Sequence, residues 1–234
     1  MPDSELKILY QDVNLSVVNK PAGLLVHPIK TREGAERTQH EITLVDLLLK
    51  KFPKVRKVGD DPKMRPGIVH RLDKDTSGVM IVALNQASFE YLKKQFQEHK
   101  IVKNYLALAH GHIQKKQGTI DKPLGIAPDS TRRSTLSHKM VKSAITDYRV
   151  VKYVGPYTLL SVTPRTGRTH QIRVHLISIG HPIVGDKVYG RREVSGLSRQ
   201  FLHAESIEFT TPQGSRLKVA ADLPEDLQSF LNSL

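Results

Sequence analysis

The residues best suited to chemistry form one run, His70-Arg71-Leu72-Asp73-Lys74-Asp75-Thr76-Ser77-Gly78. A carboxylate set among cations can attack as a nucleophile or accept a proton. Thr-Ser-Gly favours a turn. Ile68 and Val69 precede the run, and Val79 to Leu84 follow it as six apolar residues that read as a buried strand. A polar turn held between two apolar strands gives side chains the rigid support that a catalytic site needs. The competing account is that Asp73 or Asp75 only caps the turn by bonding nearby backbone N–H groups.

A second charged group lies at Arg168 and Arg173. Thr166-Gly167 reads as a turn. Thr169 reads as the cap of a helix with Ile172, Leu176 and Ile179 as its buried stripe and Gly180 as its terminator. Cations near a helix start oppose the helix dipole. An anionic partner would explain them, either a phosphate or the Asp73 carboxylate.

Composition narrows the partners. Lys plus Arg number 36 against 23 Asp plus Glu, a formal net charge of +13. Such a field concentrates polyanions and gains counterion release on binding them. RNA and DNA fit equally, and a membrane surface fits less well because no segment reads as a basic amphipathic anchor. The chain has no cysteine, which removes thiol catalysis and Cys-ligated zinc. His170 and His175 are five apart and no HExxH occurs, so no metal is expected. No GxxxxGK[ST] loop is present, and no cofactor is expected. The start, MPDSELKILYQD, is not the pattern of a signal peptide. No apolar run is long enough for a membrane span, and the expected location is the cytoplasm.

The elements that must position these residues are readable in outline. Ile8 to Tyr10 and Leu15 to Asn19 read as strands, Pro21-Ala22-Gly23 as a break, and Leu24 to Val26 as a resumed strand. Lys20 and His27 read as solvated polar residues, with contact to RNA as the alternative. Lys30 to Glu41 reads as a loop. Thr43 with Asp46 opens a helix with Leu44, Leu47 and Leu48 on its apolar face. Lys50 to Lys63 reads as a basic loop whose Lys54, Arg56 and Lys57 can meet phosphates without reading sequence. Asn85 caps a helix ending near His99, with Phe89, Leu92 and Phe96 on one face. Lys103 to His110 reads as a strand with Tyr105, Ala107 and Ala109 on one side. Gly118 to Lys142 reads as basic loop, with Arg132, Arg133 and the His138-Lys139 pair near phosphates. Ser143 to Val151 and Thr158 to Thr163 read as strands, and Pro224 to Leu231 as a closing helix.

The string HRLDKDTSG resembles the signature of the RluA-type pseudouridine synthases, which isomerise uridine within RNA. VVNKPAGLLVHP, KNYLALAHG and GRTHQIRVH resemble further segments of that family, as do His203-Ala204-Glu205 and Lys218 to Leu223. The resemblance runs from about Ile8 to Leu223. It implies Asp73 as the catalytic residue, Tyr105 against the target base, Arg173 paired with the catalytic Asp, and Arg71 filling the gap left by a flipped-out base. His70 and Arg168 are expected to face RNA. The expected fold is α+β, a mixed, largely antiparallel, bifurcated sheet flanked by helices with a central active-site cleft. One catalytic domain over residues 1–234 is expected, without the small N-terminal RNA-binding domain that many members carry. The wording RPGIVHRLDKDTSG looks most like members acting on large-subunit (23S) ribosomal RNA, whereas the missing domain is more like members acting on tRNA, or on tRNA and ribosomal RNA both, so the substrate stays open.

Two rival functions fit the same composition. A non-catalytic RNA-binding module would carry exposed aromatics for base stacking, yet aromatics are only 6% here, with no Trp. A glycosidase would want two cooperating carboxylates, and Asp75 is the one obvious second.

Overall fold

The computed structural model describes residues 6–28, 41–127, 132–137, 139–190 and 194–234. In chain order its elements are β1 (Lys7–Gln11), β2 (Leu15–Lys20), α1 (Leu44–Lys51), β3 (Ser77–Ala83), α2 (Gln86–Gln97), β4 (Val102–His110), β5 (Gln117–Asp121), β6 (Leu124–Ile126), β7 (Arg133–Ser134) and β8 (Lys139–Lys142). There follow β9 (Ile145–Val154), β10 (Tyr157–Pro164), α3 (Gln171–Ser178), β11 (Leu202–Thr210), β12 (Arg216–Ala220) and α4 (Glu225–Asn232). The chain forms two compact units, one of Met1–Ile101 with Ile207–Ala221, the other of Val102–Ser206 with Asp222–Leu234. The class is α+β with mainly antiparallel pairing, as expected.

In the first unit β2 lies between β1 and β3, antiparallel to both, with Leu15 opposite Ala83 and Lys20 opposite Gly78. Side chains alternate along a strand. Leu15 and Val17 of β2 and Val79, Ile81 and Ala83 of β3 therefore share one core with Phe89 and Leu92 of α2 and with Ile207 and Phe209 of β11. Met80 and Val82 on the other face are fully buried too. Burial on both faces explains the unbroken apolar run. Both helices start as expected, with capping boxes at Thr43/Asp46 and Asn85/Ser88.

In the second unit β4 pairs with β10, β10 with β9 and β9 with β5, all antiparallel. Their core joins Leu108, Leu160 and Val162 to Ile172 and Leu176 of α3 and Phe230 of α4. A second sheet has the order β7-β6-β8.

Four expectations need correction. Leu24 to Val26 makes no strand, only a single bridge from Leu25 to Thr43. The apolar residues before the charged turn likewise contribute one bridge, Ile68 to Val82, rather than a strand. The basic run from Lys50 is not a plain loop: it closes α1 and continues as a 3-10 turn over Pro53–Lys57, because Val55 is buried. Gly118 to Lys142 holds four short strands, each too brief for periodicity to register. Residues 30–40 and His138 lie outside the described residues.

Gly67 is locked at a close approach. Its φ is +69, its N–H donates to the Val58 carbonyl at 2.9 Å, and its carbonyl accepts from the Ala83 N–H at 2.9 Å. A Cβ there would sit 2.6 Å from the Ala83 oxygen and 2.6 Å from Val55 Cγ1. Left-handed backbone plus overpacking predicts that Gly67→Ala costs roughly 2–5 kcal/mol. Urea unfolding checks this, and an unchanged midpoint would contradict it.

Candidate active site

Asp73 opens a turn that closes through its own backbone carbonyl, which accepts from the Thr76 N–H at 3.1 Å. Lys74 and Asp75 form the corner. Leu72 turns inward and is buried, whereas Arg71 is exposed and Asp73 half-buried. Thr76 and Ser77, entering β3, are buried.

The turn is pinned from below by Lys20, which is 0% exposed. Its Nζ donates to the carbonyls of Pro21 at 2.8 Å, Leu24 at 2.9 Å and Lys74 at 2.9 Å. An ammonium has three donors, and each meets a carbonyl. A buried charge is tolerated only when hydrogen-bonded in this way. Lys20 thus ties the residue after Asp73 to β2 and to the Pro21-Ala22-Gly23 turn. Lys20 is a buried anchor and not the solvated residue that its type and position suggest. The carbonyls it satisfies carry no side-chain signal that could have revealed it.

His70 also serves the scaffold. Its Nε2 accepts from the Ile81 N–H at 2.9 Å, and its ring stacks on Phe96 with centroids 4.7 Å apart. Arg71 Nη1 lies 3.2 Å from His27 Nε2. Lys74 pairs with Glu41 at the surface.

In the second unit, half-buried Tyr105 lies opposite Val162 on β10 and packs against the core. Lys103, two residues earlier on β4, has its Nζ 3.4 Å from the Thr166 carbonyl. Burial lowers its pKa to about 8. Sequence reading did not single it out.

Helix α3 is buried nearly all round, so it shows no simple stripe. Its N-cap is His170 in the left-handed region, φ +57, without a side-chain cap. Thr169 is therefore not the cap. Gln171 instead holds the chain leading into the helix: its Oε1 accepts from the Arg168 N–H at 3.0 Å and Thr166 Oγ1 at 2.7 Å, while its Nε2 donates to Thr146 Oγ1 at 2.9 Å. Arg168 Nε in turn donates to the Ser143 carbonyl at 3.0 Å. Gly180 ends the helix as expected, its N–H bonding the Ile177 carbonyl at 2.9 Å.

Arg173, 5% exposed, is gripped by a residue the sequence reading did not assign. Its Nε and Nη2 donate to Asp186 Oδ2 at 2.7 Å and Oδ1 at 2.8 Å. Asp186 Oδ1 also accepts from the N–H groups of Val188 and Tyr189 at 2.9 and 3.0 Å. Burial alone would raise the Asp186 carboxyl, but the Arg173 fork and these N–H bonds outweigh it and hold its pKa below the usual value. The Tyr189 ring lies 5.1 Å from the Arg173 guanidinium, and its hydroxyl accepts from the Arg133 N–H at 2.9 Å. Arg173 is thus aimed by a carboxylate and an aromatic face from the following loop.

The other expected RNA contacts are surface features. Lys54, Arg56 and Lys57 are exposed on the 3-10 turn that Val55 anchors. Arg132 is exposed, and Arg133 is half-buried on β7. Among the described residues no three His, Asp or Glu side chains gather as a metal site. No helix among them is long and apolar enough to cross a membrane.

The sequence pattern of RNA pseudouridylate synthases matches residues 14–178. The chain belongs to this family. Ribosomal large subunit pseudouridine synthase D of Nitrosomonas europaea is 41% identical over 98% of this chain and 65% of its own length. The protein of the same name from Borreliella burgdorferi is 36% identical over 97% of this chain and 68% of its own length. The chain thus spans about two thirds of these relatives. The solved structure of human RNA pseudouridylate synthase domain containing 1 covers 96% of this chain with 32% identity and a TM-score of 0.74, and corresponds over 86% of its own length.

Removing the Lys20 ammonium should unseat the turn. Lys20→Met leaves three part-buried carbonyls without this donor, at about 1–3 kcal/mol for each that water does not reach. A drop in unfolding free energy of about 1–3 kcal/mol or more, with faster hydrogen exchange at Thr76, is expected. Wild-type exchange at Thr76 in a variant of wild-type stability would contradict it.

Proposed function

We propose that this protein converts uridine to pseudouridine within structured RNA, with large-subunit ribosomal RNA as the substrate class and Asp73 as the catalytic carboxylate. One observation carries the reading: in a member of this family, Asp73 heads a turn whose backbone is held by a fully buried lysine. A turn with no task beyond connecting strands has little need of so costly an anchor. The names of the relatives support the choice of ribosomal RNA, and tRNA is the alternative arm of the test.

The reaction breaks the N1–C1′ bond, turns the uracil and joins C5 to C1′. The C5 proton leaves and N1 regains a proton, so nothing is exchanged with a cosubstrate. Asp73 serves either as nucleophile at the sugar or as base on it. Tyr105 presents its ring to the base and assists loss of the C5 proton. Arg173, gripped by Asp186, is the cation that the family resemblance assigns to the catalytic carboxylate. A paired uridine must first leave its helix, at about a few kcal/mol. Arg71 fills the gap it leaves. Phosphate contacts from Lys54, Arg56, Lys57, Arg132, Arg133 and Arg168 offset part of that cost, with His70 set beneath the contact surface.

The decisive variant is Asp73→Asn. Asparagine caps turns as well as aspartate, so folding stability should change by about 1 kcal/mol or less. Turnover, read by tritium release from uridine-labelled ribosomal RNA and tRNA, should fall by up to the order of 10⁶, the scale of losing an essential nucleophile. Asp75→Asn is the control and should stay active. Pseudouridine formation by Asp73→Asn near the wild-type rate would refute the assignment.

Neutralising Lys54, Arg56 and Lys57 together should weaken binding of every RNA. It should also flatten the salt dependence by up to about one phosphate per charge. Filter binding across a salt series measures this, and an unchanged slope would remove the 3-10 turn from the RNA surface.

A further inference from the structure

Arg71 has an unusual neighbour for a cation. Its Nη1 lies 3.2 Å from His27 Nε2, and His27 Nδ1 lies 2.9 Å from the Pro28 carbonyl oxygen. A guanidinium can only donate and a carbonyl can only accept. Both contacts are satisfied by one form of the ring, the neutral tautomer with its proton on Nδ1. We infer that neutral His27 is a positioning residue for Arg71, holding the guanidinium beside the Asp73 turn so that it can enter an RNA helix as a base leaves. This rests on the reading that the protein acts on a flipped-out uridine.

Three features support it. Arg71 is exposed, so its long side chain has rotamer freedom that must be given up on entering RNA. A fixed acceptor removes part of that cost beforehand. Arg71 and Asp73 flank the buried Leu72, so holding one places it next to the other's working end of the turn. The surroundings also keep His27 neutral. Burial lowers its pKa first, the Pro28 carbonyl raises it, Arg71 and Arg65 lower it, and Asp61 raises it; the balance is downward.

The sign of the pH effect follows. The folded value lies below the ordinary histidine value of about 6.5, so the His27–Arg71 bond is complete at and above that pH. It is lost as pH falls through the lowered value, when Nε2 gains a proton and faces a cation.

Two measurements test the inference. The first needs no RNA: an NMR titration of His27 in the wild type and in Arg71→Ala. The Nδ1–H tautomer is expected, with a pKa that rises in the variant. Identical titrations, or an Nε2–H tautomer, would overturn the bond itself. The second compares pseudouridine formation on a helix-embedded uridine and on a short unpaired oligonucleotide. His27→Ala should lower kcat/KM roughly tenfold on the helix, the scale of one hydrogen bond to a charged group, and much less on the oligonucleotide. His27→Gln offers an acceptor that does not titrate, so it should restore the rate and lose the decline on the acid side. An equal loss on both substrates, or no rescue by glutamine, would overturn the positioning role. If the wild type modifies no RNA, the proposed function fails, and with it the role in base replacement, while the titration still judges the bond.

Discussion

The position of the central turn depends on a single buried ammonium. Lys20 has no water to solvate it, so its three protons must find protein acceptors, and it finds them on Pro21, Leu24 and Lys74. That requirement works in both directions. Both turns offer carbonyls to the lysine, and the buried lysine is tolerated because both turns close on it. The strand pairing that sets Lys20 opposite Gly78 brings the ammonium beneath the residues leaving the turn. The backbone at Asp73 is then held through its neighbour's carbonyl.

The second unit solves a similar problem with the charge reversed. Asp186 is a buried carboxylate that accepts two backbone N–H bonds from its own loop and two guanidinium bonds from Arg173. Breaking such a buried pair costs about 3–5 kcal/mol because one charge is left behind. Gly190 belongs to the same device. Its N–H donates to the Asp186 carbonyl at 2.7 Å, and a Cβ at Gly190 would come within 2.2 Å of that oxygen. The loop over residues 186–190 is therefore compact for the sake of one carboxylate, and Arg173 inherits its direction.

How much of this could be read from the sequence follows from the range of each interaction. The Thr43/Asp46 helix start, the Asn85 cap, the apolar run of β3 and the stop at Gly180 are local, set by residues within a few positions, and are legible; the Ser88 half of the second capping box is not. Nor are Lys20, Asp186 and Gln171. Each acts on backbone atoms or on side chains far along the chain, and backbone acceptors look alike in any sequence. Charge alone misdirects at these positions, because a lysine on a strand looks solvated and an Asp before a turn looks like a cap. The small β6–β8 sheet escaped for a different reason: strands of two to four residues carry no measurable period. Asp73, Tyr105 and Arg173 were named from family resemblance, and spacing alone would have left Asp73 as a possible turn cap.

The supporting residues also differ from those they support in what they tolerate. A side chain whose main task is to meet substrate can be exchanged with less loss of fold than one that anchors backbone. Lys20 and Asp186 cannot be exchanged so freely, since each matches several fixed dipoles. A methionine at Lys20 supplies the bulk but no donors, and an asparagine at Asp186 supplies one acceptor where Arg173 and two N–H groups need a full carboxylate. His27 stands between these classes. It is half-buried, it bonds one backbone carbonyl, and its other nitrogen holds a side chain that is itself exposed. A group so placed can change its protonation without unfolding anything, and the consequence falls on Arg71 alone. That is why acid should act first on the orientation of one arginine beside the turn and only later on the scaffold that Lys20 and Asp186 maintain.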